Sequence, residues 1–129
     1  MATETRLRSR TYAGGRDLNI PLALASGVAL VFLGVAGVLM PGFRLAIGPD
    51  GFPLTMLHNL LPVAAGAVLV AAGILGARQA RFANRAVGVG YVAFLLIGPA
   101  VTGTPPVALD VIHLALGVVL VAVGFRGRP

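Results

Sequence analysis

Four long runs of apolar residues, separated by short clusters of arginine, proline and glycine, set the plan of this chain. They occupy about 20–40, 54–76, 84–101 and 106–125. At about 1.5 Å of rise per helical residue, runs of this size match a hydrocarbon core of roughly 30 Å. The pattern therefore predicts an all-α fold, an integral membrane four-helix bundle over 20–126, preceded by a basic cytoplasmic tail at 1–19. The first run is too long for the apolar part of a signal peptide and lacks a small-x-small cleavage site, so it reads as an uncleaved first span.

Proline and glycine mark the boundaries. Pro21 fits a first helical turn and Pro41-Gly42 stops the first helix. Gly48-Pro49-Asp50-Gly51 is turn chemistry, flanked by Phe43 and Phe52, which suit a membrane interface. Pro62 lies inside the second run and is expected to kink it. Arg78, Arg81 and Arg85, with Gln79 and Asn84, read as the second loop, and the apolar part of the third run starts at Ala86. Thr104 is expected as the N-cap of the fourth helix, with Pro105 at its first position.

Composition changes the solvent, not the plan. The chain is 57% hydrophobic and 11% charged, and its mean hydropathy is +0.94, a balance that leaves too few polar side chains to cover a soluble domain. The formal charge of +6 rests on arginine, with no lysine. In a soluble chain that would suggest nucleic acid; here the arginines flank apolar runs, where they set topology and meet anionic lipid headgroups. The expected partner is thus the bilayer, with its anionic headgroups at the cytoplasmic face, and no nucleic acid.

Orientation follows from the same residues. Arg6, Arg8, Arg10 and Arg16 in the tail, the three arginines of the second loop, and Arg126 and Arg128 at the end alternate with a first loop holding Arg44 and a third holding none. By the positive-inside rule both termini are cytoplasmic and the protein is a multi-pass protein of the cell membrane.

The second and fourth runs read as copies of each other. Residues 66–73, GAVLVAAG, match 117–124, GVVLVAVG, at six of eight positions. The match extends back to place Asn59 on Asp110 and Pro62 on His113, which suggests a duplicated helix pair. Helical spacing puts Asp110, His113, Gly117 and Gly124 on one stripe, and Asn59, Pro62, Gly66 and Gly73 on another. Glycines seven apart let helices approach closely in a membrane, and Gly27 and Gly34 give the first helix the same device. Helices one, two and four are expected to pack through these six glycines.

Asn59, His58, Asp110 and His113 form the candidate polar cluster, near the extracytoplasmic end. A charge within a span is costly, so Asp110 and His113 should pair with each other or with the second helix. Asp110 also suits a helix N-terminus, where its charge meets the dipole. His58 lies about 80° round the helix from the Asn59 stripe by the ~100° helical step, which leaves one Asp and one well-placed His and argues against a metal site. The chain has no cysteine, and no nucleophile beside a base, paired carboxylates or phosphate-binding glycine loop. Neither an enzyme nor a cofactor is expected.

The phrase ALVFLGVAGVLMPGF in the first helix, and the pattern Asp/Asn-x-x-His-x-x-x-Gly in the second and fourth, resemble the bacterial four-helix membrane proteins grouped as domain of unknown function 4383. The resemblance covers about 20–126. Asp110, His113 and Gly117 fit the second copy of the pattern; in the first, Asn59 and Gly66 fit, but Pro62 stands where histidine is expected. It implies a four-helix membrane fold and brings no activity with it. The sequence favours a structural or accessory protein docking a membrane partner or a second copy of itself. The alternative is a small transporter or proton- or ion-conducting protein using Asp110 and His113.

Overall fold

The computed structural model describes residues 17–40, 44–45, 52–53, 56–102 and 107–126. Within them lie four helices, α1 (Asn19–Leu39), α2 (Met56–Leu75), α3 (Ala77–Thr102) and α4 (Val107–Arg126). All four are long and apolar enough to cross a membrane. Two short strands, β1 (Arg44–Leu45) and β2 (Phe52–Pro53), pair antiparallel between α1 and α2, with Arg44 opposite Pro53 and Leu45 opposite Phe52. Residues 1–16 of the basic tail expected at 1–19, the Gly48-Pro49-Asp50-Gly51 turn, the Thr104 cap with Pro105, and Arg128 lie outside the described residues, and Asn19, read as the end of that tail, begins α1.

The start of α1 and the junction of α2 with α3 each have a local cause. Asp17 Oδ1 accepts hydrogen bonds from the backbone N–H of Asn19 (3.0 Å) and from its side-chain amide (2.8 Å), which satisfies an orphan donor at the start of α1. Pro21 falls in the first turn of α1, where its missing N–H costs nothing. Gly76 alone separates α2 from α3 and takes φ +119°, a conformation that L side chains rarely adopt. Its N–H donates to the Ala72 carbonyl at 3.2 Å and its own carbonyl accepts from Ala80 at 2.9 Å, so one residue closes one helix and opens the next. The α-helix of α2 continues through Pro62.

Two expectations are corrected. The stretch carrying Arg78, Arg81 and Arg85, read as a loop before a span starting near 84, is helical from Ala77 onward. Ala80, Ala83 and Asn84 are buried at helical spacing, while Arg78 stays exposed and Arg81 and Arg85 are half-buried. The arginines thus occupy the outer sides of an amphipathic turn whose inner side packs. Charge had concealed a helix start.

The second correction concerns partners. Gly27, Gly34, Gly66, Gly73, Gly117 and Gly124 are all buried, but they join α1 to α2 and α3 to α4, whereas α4 barely meets α1. The missing element is Gly88 of α3. A Cβ added at Gly27 would lie 2.8 Å from the Gly66 carbonyl oxygen and 2.9 Å from the Val70 nitrogen; one added at Gly88 would lie 2.8 Å from the Gly117 carbonyl oxygen and 2.9 Å from the Val121 nitrogen. The two antiparallel pairs repeat one contact. Gly73 accommodates Leu24, and Gly124 accommodates Arg85.

Contact between the pairs is made chiefly by α2 with α3, and less by α1 with α3. The shared core is built of Ala23, Leu30, Leu69, Ala72, Ala80, Ala83 and Leu120. Its many alanines bring the helices close, and many large apolar side chains point outward: Leu96 is 83% exposed and Phe32 75%.

Candidate functional site

The junction between the two pairs has two different ends. At the end where α1 and α3 begin, Asn84 is fully buried and its side-chain amide donates to the Asn19 backbone carbonyl and to Asn19 Oδ1, both at 3.1 Å. Asn19 in turn binds Asp17, so a chain of three polar side chains ties the first pair to the second. The bonds to Asn19 hold the Asp17 carboxyl below its ordinary value of 3.8, first through the side-chain amide and then through the backbone N–H; the charge of Arg81 adds to the effect. Beside this joint, Arg85 Nε donates to the Gly124 carbonyl at 2.8 Å and its guanidinium lies 4.3 Å from the centre of the Phe125 ring. That bond satisfies an otherwise orphan carbonyl in the last turn of α4.

The opposite end carries the candidate cluster, and the structure divides it. His58 and Asn59 are adjacent and both buried, but they point to different neighbours. Asn59 belongs to the α1·α2 seam: its carbonyl oxygen meets the space beside Gly34, and its side-chain amide fills the space left by Gly37. About 100° round the helix, His58 faces the other pair. Its ring stands edge-on to Phe94, with centroids 6.1 Å apart and planes at 88°. Phe94 also meets His113 at 5.9 Å and 80°, and His113 lies tilted against Tyr91 at 5.5 Å.

Of the expected cluster, His58 and His113 come together across α2, α3 and α4, while Asn59 lies apart in the α1·α2 seam. His113 packs on Tyr91 and Phe94 of α3 and shares a cavity with His58 of α2. Asp110 is half-buried in the first turn of α4, where a negative charge meets the positive end of the helix dipole.

These rings form one side of a cavity of about 220 Å³. From α2 come His58, Leu61, Pro62 and Ala65; from α3 come Val87, Gly90, Tyr91 and Phe94; His113 is the contribution of α4. Leu61 and Gly90 are exposed on the outer surface of the bundle, so the cavity opens sideways between α2 and α3. Among the described residues, His113 Nδ1 is buried without a hydrogen-bond partner. Among them, too, no three histidines or acids gather into a metal-binding group.

Sequence reasoning passed over Tyr91, Phe94 and Gly90 as ordinary members of a span. The available signal was the spacing of Val87, Tyr91 and Phe94, which places them on one helical face. Asn84 was read as a loop residue because the arginines around it masked the turn it belongs to. Comparisons with protein-family models, with curated proteins and with solved structures found no match.

Proposed function

We propose that this is a multi-pass integral protein of the cell membrane, built from a duplicated helix pair, that serves a membrane complex as a structural or accessory subunit. The observation that carries this reading is the distribution of polarity. The outer surface of the helices is apolar, with Leu96, Phe32, Ile74 and Phe82 all largely exposed, while Asn19, Asn84 and Arg85 are spent on joining helices. A lipid environment makes such a surface stable, and close glycine seams are how helices hold together there. Arginine placement supports cytoplasmic termini.

Affinity purification from native membranes in mild detergent tests the assignment. A stoichiometric membrane-protein partner or a second copy is expected, and recovery as a lone monomer would refute it. Cysteines introduced singly at Ala2, Ile47, Gln79 and Gly103 test the orientation, since the chain has none of its own. Labelling of Ile47→Cys and Gly103→Cys only from the cytoplasmic side would reverse it.

A proton- or ion-conducting role is the second reading, favoured by the two imidazoles that share Phe94 and one cavity. Against it, Leu69 and Leu120 are fully buried in the core, and a conducted ion would have to pass that apolar layer. Flux in vesicles separates the two. With Asp110→Asn and His113→Gln, unchanged flux and lower stability support the accessory role, and lost flux with an intact fold supports conduction.

A further inference from the structure

We propose that the sideways cavity between α2 and α3 is a binding site for a small ring compound dissolved in the bilayer, one carrying an oxygen directly on a six-membered ring, as quinones and phenols do. The inference rests on the membrane reading above, because the cavity opens onto the apolar outer surface.

Three observations converge on this ligand. The first is size and position. A dry cavity of about 150 Å³ accepts benzene, so about 220 Å³ accommodates a six-membered ring with a few substituents. Its mouth lies between Leu61 and Gly90, both exposed on the outer surface, so a substituent chain can trail out among the lipids.

The second is Gly90. Gly27, Gly34, Gly66, Gly73, Gly88, Gly117 and Gly124 each press on a neighbouring helix, but a Cβ added at Gly90 would meet nothing within 4 Å. A glycine inside a helix is destabilising relative to alanine. Here no packing contact offsets that cost; what the missing side chain leaves open is the cavity.

The third is the chemistry of the wall. Tyr91 and Phe94 offer aromatic surface to a flat ring, which prefers offset or edge-on neighbours. His113 Nδ1 is buried with no partner among the described residues, and its burial leaves Nε2 as the nitrogen open to a ligand. A ring carbonyl or hydroxyl oxygen accepts from an Nε2–H, and the Tyr91 hydroxyl supplies a second donor. An all-hydrocarbon ligand would leave both unused, and a charged one would meet no opposite charge among the residues that line the cavity.

The protein provides its own reporter. It has no tryptophan and two tyrosines, Tyr12 and Tyr91, so in a Tyr12→Phe background all tyrosine fluorescence comes from the cavity wall. In detergent micelles or nanodiscs, titration with decyl-ubiquinone is expected to quench this emission saturably. Ala29→Leu enlarges a residue on the outer face of α1 and should leave the titration unchanged. Gly90→Leu, which fills the mouth, should abolish the saturable part, with the helical circular dichroism intact. Loss of one hydrogen bond in His113→Phe should weaken binding about tenfold.

Competition with 4-butylphenol, read from the calorimetric heat of decyl-ubiquinone binding because the phenol emits like tyrosine, distinguishes the two sources of ring oxygen: displacement extends the site to ring hydroxyls, and no displacement restricts it to ring carbonyls. Equal quenching of the Gly90→Leu and Ala29→Leu proteins, or equal displacement by butylbenzene, would overturn the proposal. Neither result bears on partner capture, so this proposal and the accessory role fail independently.

Discussion

The two helix pairs have one skeleton and different chemistry. In the register that puts Gly27 on Gly88 and Gly66 on Gly117, the close contacts coincide, yet the side chains around them diverge. Ala23 falls on Asn84, Leu24 on Arg85, Leu30 on Tyr91 and Pro62 on His113. The first pair keeps the apolar residue at each of these places, and the second carries the polar or aromatic one. Asn84 then holds the pairs together at one end, Arg85 secures the last turn of α4, and Tyr91 and His113 line the cavity at the other. The glycine seam is what both pairs need to exist. The substituted positions are where the second pair differs in what it can do.

If the seams are equivalent, breaking either should cost the same. Gly27→Leu and Gly88→Leu each drive a side chain into backbone atoms of the facing helix, which no rotamer change relieves. Each is expected to destabilise the bundle by about 3 kcal/mol, read from far-ultraviolet circular dichroism during titration with a denaturing detergent. A loss confined to one variant would show that only one seam bears the fold. The joint between the pairs should rank next. Asn84→Ala removes both bonds to Asn19 in a fully buried place, and a loss of about 2 kcal/mol is expected in the same titration. No measurable loss would mean that apolar contact alone holds α3 to α1.

How much of this was legible follows from the same residues. The four helices were, because long apolar runs need no context to be recognised, and the GAVLVAAG and GVVLVAVG segments revealed half of the repeat. The other half was present as Ala25-x-Gly27-Val28-x-x-Val31 and Ala86-x-Gly88-Val89-x-x-Val92. It was concealed because the arginines before Ala86 set the eye to a loop, and without Gly88 the stripe on α4 had no partner but α1 or α2. The cluster came together only in part for a geometric reason. The angle between His58 and Asn59 was legible, but not that α2 has α1 on one side and α3 on another, so that the two adjacent residues are both buried while serving different neighbours. Periodicity gives the angle between two residues; which helix lies at each angle is decided by the whole packing.

Smaller effects sharpen the contrast at single positions. Arg85→Leu gives the second pair the residue that the first has at Leu24. It removes the Nε bond to Gly124 and the contact with Phe125, and about 1 kcal/mol should be lost in the detergent titration. Lysine keeps the charge but lacks Nε, so Arg85→Lys should recover less than half of that loss. Full recovery would make the interaction one of charge alone.

The last contrast is at the helix starts, where Asp17 of the first pair falls on Arg78 of the second. An acid at a helix N-terminus interacts favourably with the dipole and a cation does not. The bonds from Asn19, aided by the Arg81 charge, hold the folded-state pKa of Asp17 below 3.8. A depressed carboxylate contributes stability that is fully present above the unfolded value and fades as pH falls through the folded one. Between pH 7 and 5 the difference in stability between the parent protein and Asp17→Asn should therefore stay constant, then shrink as pH drops below 3.8. The difference will be small, because this carboxylate is exposed and water screens it. Glu4, Asp50 and Asp110 are present in both proteins, so subtracting one titration from the other isolates Asp17. A difference that grew on acidification would mean that the link from Asp17 to Asn19 works against the fold.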